Sequence, residues 1–356
     1  MRIAHVLLSR GFAGTERATA EMCNAHCGAH PVLLILKRSH RNRAGISIRQ
    51  WLDSKVEVAE VSPWWPLRGI ERALLEFNPD VVHVHLRRAT RMLAKIRCAA
   101  PTVATLHLTV NGRHFAAMDG LICIARWQQR DIPPNYRGRV FFINESIIPC
   151  RRLDAEDVAA LRRELGAAPD EYLIGGVGRL ARSKGFDVLI EAFKRSALPK
   201  ARLVILGEGR ERVRLERLAG SAAVSLPGFR TRIKEYYQAF DLFVSPSRSE
   251  PLGRVVLEAL DAGVPIVATA CDGPREILSA YPADIVPIDD IDALAAQLKR
   301  HYETRTPRAA YDLRAYHIDA VARETLAAYT ALIESAVSDS DRAVRAAVRP
   351  ATPTSD

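Results

Sequence analysis

Ser245-Pro246-Ser247-Arg248-Ser249-Glu250-Pro251-Leu252-Gly253-Arg254-Val255-Val256-Leu257-Glu258-Ala259 is the most informative stretch of the 356-residue chain. The apolar run Leu242–Ser245 leads into it and reads as a strand. Serines and prolines then form a loop, and a helix opens near Leu252. Gly263-Val264-Pro265 stops that helix with a glycine and sets a proline just beyond it. Backbone N–H groups of an opening helical turn have no partner inside the helix, so they can meet an anion. Glu250 stands in the loop at the strand's carboxyl end, and Glu258 stands about two turns into the helix. Taken singly, Glu250 reads as a helix N-terminal carboxylate and Glu258 as a surface residue.

The same strand–helix alternation extends outward on both sides. In residues 151–315 it predicts strands at 173–177, 202–206, 224–226, 266–269 and 283–286. Helices are predicted at 186–196, 210–219, 233–239, 255–262, 275–278 and 291–302. In residues 1–150 the Val- and Ile-rich runs 3–8, 32–36, 56–61, 81–85, 103–106, 121–124 and 140–143 read as strands, with helices at 16–29, 69–78 and 89–99. These runs are short and mostly lack alternation, as expected of strands buried on both faces of a parallel sheet. The fold class is therefore α/β, with two doubly wound domains in tandem and a cleft expected between them. A charged amphipathic stretch, 153–165, marks the crossing. Residues 316–337 read as a final helix. Residues 338–356 are rich in Ser, Asp, Ala, Arg and Pro and read as a disordered tail.

A second segment points to the same chemistry. Gly175-Gly176-Val177-Gly178-Arg179-Leu180-Ala181-Arg182-Ser183-Lys184-Gly185-Phe186-Asp187 follows a strand and precedes a helix. Arg179 and Lys184 leave one strand tip, and two fixed cations suit a diphosphate. The glycines lack the G-x-G-x-x-G spacing of a dinucleotide site.

Together the two segments resemble the E-x7-E region and the diphosphate-binding loop of retaining glycosyltransferases of the GT-B fold, specifically glycosyltransferase family 4. Leu252 stands where that family commonly has Phe. The resemblance implies two Rossmann-like domains facing across a cleft, with a C-terminal helix returning to the first domain. It implies that Glu250, with the backbone at Pro251, Leu252 and Gly253, holds the donor sugar. It further implies that Glu258 bonds the ribose, that Arg179 and Lys184 bind the diphosphate, and that Gly207 in Leu206-Gly207-Glu208-Gly209 lies near the base. Leu226-Pro227-Gly228-Phe229 and Asp272-Gly273-Pro274-Arg275-Glu276-Ile277 also fit the family pattern.

The first half adds Gly11-Phe12-Ala13-Gly14-Thr15-Glu16, where Gly14 could bring backbone N–H groups against the donor; Ala13 departs from the family's Gly-Gly. Pro79-Asp80-Val81-Val82-His83-Val84-His85 matches the family strand. Thr105-Leu106-His107 ends another, and the resemblance makes His107 a catalytic candidate beside Glu250. Leu108 departs from the family's acidic residue, and Asn144-Glu145-Ser146-Ile147 departs from its Asn-Gly-x-Asp.

Two metal-like patterns have simpler readings. Asp290-Ile291-Asp292 directly precedes a helix, where Asp is expected as a cap and first-turn residue. Cys23-x2-His26-Cys27-x2-His30 lies on a core-facing helix without zinc-finger spacing. No metal and no cofactor are expected; the nucleotide-sugar is a co-substrate.

Charge divides the chain. Residues 1–150 hold 21 Lys and Arg against 11 Asp and Glu, whereas residues 151–356 hold 30 of each, so the whole formal charge of +10 sits in the first part. Such asymmetry suggests a polyanion or an anionic surface as partner. Lys37-Arg38-Ser39-His40-Arg41-Asn42-Arg43 and Arg87-Arg88-Ala89-Thr90-Arg91 are basic clusters, and Trp64-Trp65 lies between prolines. The Trp pair reads equally as a membrane-interface tip or a buried turn. No run of 18 apolar residues occurs. The six scattered cysteines suit a reducing compartment. The expectation is a metal-independent hexosyltransferase moving sugar from a nucleotide-diphosphate donor, with UDP preferred. Its acceptor would be a saccharide or lipid-linked saccharide of surface polysaccharide or lipopolysaccharide assembly. It would sit in the cytoplasm at the inner face of the cytoplasmic membrane. A GT-B sugar epimerase or a basic nucleic-acid-binding protein are the alternatives. The latter lacks stacking aromatics and a helix-turn-helix signal, so nucleic acid is not expected as partner.

Overall fold

A computed structural model describes residues 1–9, 11–38, 40–41, 45–107 and 113–347. The chain divides into two compact units, Met1–Asn144 with Ile318–Asp356, and Glu145–His317.

The first unit is a seven-stranded parallel sheet of β1 (Ile3–Leu7), β2 (Val32–Lys37), β3 (Val56–Val61), β4 (Val81–His85), β5 (Thr102–Leu106), β6 (Gly120–Cys123) and β7 (Arg139–Phe142). Helices α1 (Gly14–Cys27), α2 (Pro66–Phe77) and α3 (Leu86–Leu93) make crossovers. Spatial order is β3-β2-β1-β4-β5-β6-β7. Every residue of β1, β4 and β5 is buried, which is why these strands read as mainly apolar runs without an exposed polar face. One side of the sheet packs Val6, Ile35, Val84 and Ala104 against Ile70, Leu74 and Leu93 of the helices.

The second unit has α4 (Ala155–Glu164), then β8 (Tyr172–Val177), α5 (Phe186–Ser196), β9 (Ala201–Leu206), α6 (Arg212–Ala219), β10 (Val224–Gly228) and α7 (Ile233–Tyr236). It continues with β11 (Leu242–Ser245), α8 (Arg254–Ala262), β12 (Ile266–Thr269), α9 (Asp272–Leu278), β13 (Asp284–Val286) and α10 (Ile291–Thr304). Its six parallel strands run β10-β9-β8-β11-β12-β13. Chain order reverses between β8 and β11, and in the first sheet between β1 and β4. At such a reversal the following loops part to opposite sides and leave a crevice beyond the strand ends. The loops after β8 and β11 are the two segments that carry the sequence signatures.

The last helix, α11 (Ile318–Ala347), belongs to the first unit. Nε2 of His26 (α1) meets the Ala322 carbonyl at 3.1 Å, and Arg139 Nη1 donates to the Ala331 carbonyl at 2.8 Å. The helix corrects the tail expectation: 338–347 is helical and continues past Val337. Its Ala- and Arg-rich composition favours helix. Residues 348–356 lie outside the described residues. Helix α2 starts at Pro66, ahead of the expected Gly69, because proline suits the first helical position.

Candidate functional site

In the second unit the two signature loops interlock. Lys184 Nζ is bonded to a Glu250 carboxylate oxygen. Arg248 donates through Nη1 and Nη2 to the two Asp187 oxygens at 2.8 and 3.0 Å, and through Nε to Asp289 at 2.6 Å. Burial pushes the Asp187 carboxyl up, but the Arg248 guanidinium outweighs it and holds the group below its usual value. The backbone N–H of Arg248 donates to the Ser183 carbonyl at 2.8 Å. Gly185 makes this docking possible. Its φ is +64°, and a Cβ there would stand 1.9 Å from the Pro246 carbonyl oxygen.

The loop after β11 is also fixed from β12 and α9. Thr269 Oγ1 is bonded to the Ser247 carbonyl, and Gly273 N–H donates to the Glu250 carbonyl at 3.1 Å. Gly273 packs directly on Leu252, where a Cβ would meet backbone at 2.4 Å. Glu250 is thus held on both sides while its carboxylate faces Lys184.

Arg179 differs from its neighbours. It is exposed at the end of β8, and its guanidinium has no partner among the described residues. Pro251 has no N–H to offer. The amides of Leu252 and Gly253 meet no backbone acceptor among the described residues. Gly253 precedes the first turn of α8 with a φ of +97°. Glu258 is buried, accepts from Tyr237 Oη at 3.1 Å, and has Arg254 Nε 3.6 Å away. Gly207 follows β9 and donates its N–H to the Gly228 carbonyl at 2.9 Å, while Glu208 is paired with Arg212. The structure therefore brings Arg179, Lys184, Glu250 and the Leu252–Gly253 backbone to the reversal point of one sheet, with Gly207 on the neighbouring strand.

In the first unit Gly14 is exposed and opens α1. Glu16 Oε2 accepts the Ala13 N–H at 2.9 Å, a carboxylate at the positive end of the helix. His107 directly follows β5 and is 9 % exposed. Its Nε2 lies 3.1 Å from Nδ1 of His85. His83 and His85 are buried with His5 on β1. The reading missed this cluster, although its signal was present: His83 and His85 share one face of β4, and His5 is in register with His83. Burial, followed by neighbouring imidazoles, pushes His83 and His85 well below the usual histidine value, and holds His5 at about 3.

One nitrogen each of His5, His83 and His85 lies within 4.8 Å of the others, a spacing a metal could span. Yet both nitrogens of His83 are engaged, by Tyr329 Oη and Thr105 Oγ1 at 2.6 Å each, and His5 is bonded to His85. The other two metal-like patterns serve as structure. Asp290 accepts the Ala293 N–H at 2.9 Å as the cap of α10, and Asp292 is paired with Arg195. Cys23 is buried, with burial pushing its thiol far up, and Cys27 donates to the Asn24 carbonyl at 3.3 Å.

Trp64 and Trp65 are 84 % and 68 % exposed, which removes the buried-turn reading. Arg68 stands 5.7 Å from the Trp65 ring centre. Arg38, Arg41, Arg87 and Arg91 are exposed on the same unit. Ser39, Asn42, Arg43 and Leu108 of the expected motifs lie outside the described residues.

Residues 157–317 match the family "Glycosyl transferases group 1". A lipopolysaccharide core biosynthesis glycosyltransferase of Rhizobium meliloti, LpsE, is 38 % identical over 122 residues, 33 % of this chain and 35 % of the relative. A second from the same organism, LpsD, is 28 % identical over 313 residues, 84 % of this chain and 88 % of the relative. Among solved structures, Anabaena Alr3699/HepE in complex with UDP and glucose superposes with a TM-score of 0.74 at 19 % identity, covering 96 % of this chain and all of that one. That similarity is one of fold, GT-B.

Proposed function

From the premise that residues 157–317 are a glycosyl transferases group 1 domain, we propose that the chain is a retaining, metal-independent hexosyltransferase that uses a nucleotide-diphosphate sugar. The observation that carries this reading is the junction of the loops after β8 and β11. There Arg179, whose guanidinium has no partner among the described residues, shares with Lys184 the segment after β8, and Lys184 is paired with Glu250 at the reversal point of the sheet.

Arg179 takes the diphosphate, and Lys184 turns to it from Glu250. Glu250 and the Leu252 and Gly253 amides hold sugar hydroxyls, and Glu258 takes the ribose. The anomeric carbon–phosphate oxygen bond breaks first, leaving positive charge on the sugar and negative charge on the diphosphate. The two cations stabilise the latter. An acceptor hydroxyl attacks from the face the diphosphate leaves. Its oxygen bonds the anomeric carbon, and its proton passes to the departing phosphate oxygen. No protein nucleophile is needed. UDP is the preferred nucleotide; the Anabaena structure holds UDP.

The acceptor is a saccharide or lipid-linked saccharide in lipopolysaccharide or surface polysaccharide assembly; the two Rhizobium meliloti relatives are named for lipopolysaccharide core biosynthesis. The exposed arginines and the Trp64–Trp65 tip suit an anionic leaflet, where each cation adds about 1 kcal/mol. The working location is the cytoplasm, at the inner face of the membrane. The test is the anomeric configuration of the product, read by proton NMR in buffer with EDTA. Retention at an unchanged rate supports the reading; inversion, or a rate abolished by the chelator, overturns it.

A further inference from the structure

Arg248 lies two residues before Glu250 in the loop after β11, yet its donors are spent on the protein itself. Nε donates to Asp289 Oδ1 at 2.6 Å, and Nη1 and Nη2 donate to the two Asp187 oxygens at 2.8 and 3.0 Å. Nη1 also donates to the Arg182 carbonyl at 2.7 Å. A guanidinium has five N–H groups, and these bonds use four of them. Its charge is balanced as well. Arg214 stands 3.4 Å from Asp187, so two arginines face two aspartates. Unlike Arg179, Arg248 is therefore not disposed to take a diphosphate.

The bonds span three loops. Arg182 and Asp187 flank Lys184 along the chain after β8, and Asp289 follows β13. The contacts on the β8 side thus bracket Lys184, while Glu250 is two residues from Arg248 itself. The Arg248 and Ser249 N–H groups add bonds to the Ser183 carbonyl at 2.8 and 3.3 Å. Asp289 has a φ of +62°, a left-handed conformation that Asp adopts more readily than most residues, and from it the carboxylate reaches Arg248. A lysine could not replace this clasp. One ammonium on a flexible stem cannot bond both Asp187 oxygens and Asp289 in one plane.

We propose that Arg248 is a positioning residue: it fixes the chain on both sides of the bonded Lys184–Glu250 pair and so sets where the ammonium and the carboxylate meet a donor. The placement stands on the geometry; its use toward a nucleotide-sugar rests on the transferase reading. Loss of the side chain leaves the Ser183 backbone bonds but releases Asp187 and the Arg182 carbonyl. The pair then opens more often and its groups lose alignment, which costs rate more than affinity.

The test uses the full chain and two readouts. The first needs no activity: acetylation of each lysine by acetic anhydride, read by peptide mass spectrometry. Lys184 is paired and 21 % exposed, so it should label slowly in wild type. In Arg248→Ala it should label at least about 5-fold faster, the effect of losing one net hydrogen bond of closure. Lys200, exposed and paired with Asp170, should not change. Asp289→Gly removes one anchor and suits the positive φ. It should give a smaller rise at Lys184, and it decides the matter if Arg248→Ala does not fold. An unchanged Lys184 rate in the folded variant, or an equal rise at Lys200, overturns the inference. The second readout is nucleotide release. Arg248→Ala should lose about 100-fold in kcat with the donor KM within about 3-fold of wild type, and Arg248→Lys should not restore it. A raised KM at unchanged kcat, or full activity in Arg248→Lys, overturns the inference. Faster Lys184 labelling in a chain that releases no nucleotide supports the placement and counts only against the transferase reading.

Discussion

Lys184 is bonded through Nζ to Glu250, 66 residues further along the chain. Both side chains are largely covered, 21 % and 13 % exposed. The pair joins the loop that reads as a diphosphate site to the loop that reads as a sugar site. Lys184→Met should lower kcat/KM for the donor about 100-fold, some 2.7 kcal/mol of lost transition-state stabilisation. It should also lower stability by about 1–3 kcal/mol, since Glu250 is left partly buried and unpaired. Steady-state kinetics and a thermal melt read the two effects. Full activity would remove Lys184 from the site.

Arg179 lacks such a structural role. Arg179→Ala should leave the unfolding midpoint within about 0.5 kcal/mol of wild type. Binding of the nucleotide diphosphate should weaken by about 1.5–3 kcal/mol, the worth of hydrogen bonds to a charged group. Calorimetric titration with UDP and GDP measures it. Unchanged affinity for both would place the diphosphate elsewhere.

Gly185→Ala should cost several times the usual penalty for a positive φ, because the added Cβ meets the Pro246 carbonyl at 1.9 Å. We expect a loss of at least about 3 kcal/mol, with uncoupling of the loops after β8 and β11. A melt within a degree of wild type would mean the two loops do not dock as described.

The buried histidines set an acid limit on the first unit. Burial holds His5 at about 3 and His26 at about 4, whereas an unfolded histidine titrates near 6.5. Below that value the unfolded chain binds protons that the folded one refuses. Each of these groups therefore removes about 1.4 kcal/mol of stability per pH unit from about 6.5 down to its folded value. Denaturant melts between pH 7 and 5 should show a steep fall, and His26→Gln should make it shallower. A flat profile would contradict the buried, neutral cluster.

The Trp pair gives a surface prediction. Trp64→Ser with Trp65→Ser should leave the melt unchanged, since both side chains are exposed. It should reduce sedimentation with anionic liposomes in low salt. Equal sedimentation of variant and wild type, or none for either, would remove the membrane from the account.

Much of the fold was legible because its strands are buried on both faces. The runs 56–61, 81–85, 242–245 and 266–269 coincide with β3, β4, β11 and β12. Strand order was not legible, since every parallel crossover looks alike along the chain. Helix ends were read less well. Helix α3 stops at Leu93, ahead of the expected 99, and α11 outruns Val337 because local propensity continued beyond the apolar pattern. Within the site, Arg179 and Lys184 stood out as two cations at one strand tip, whereas Glu250 and Glu258 were chosen through resemblance, and spacing alone would not have paired Lys184 with Glu250. The clasp of Arg248 on Asp187 and Asp289 was missed, because an arginine in a polar loop gives no sign of distant partners. The His5–His85–His107 line could have been found from the H-x-H of β4, had the register with β1 been known.

The central claim is that the loops after β8 and β11 bind and activate a nucleotide-sugar. Release of nucleotide diphosphate from a panel of UDP-, GDP- and ADP-sugars, by wild type and by Glu250→Ala, tests it most directly. The account predicts release from at least one donor by wild type, and a loss of at least about 1,000-fold in the variant. Equal release by both proteins, or none from any donor with a saccharide acceptor mixture present, would contradict it.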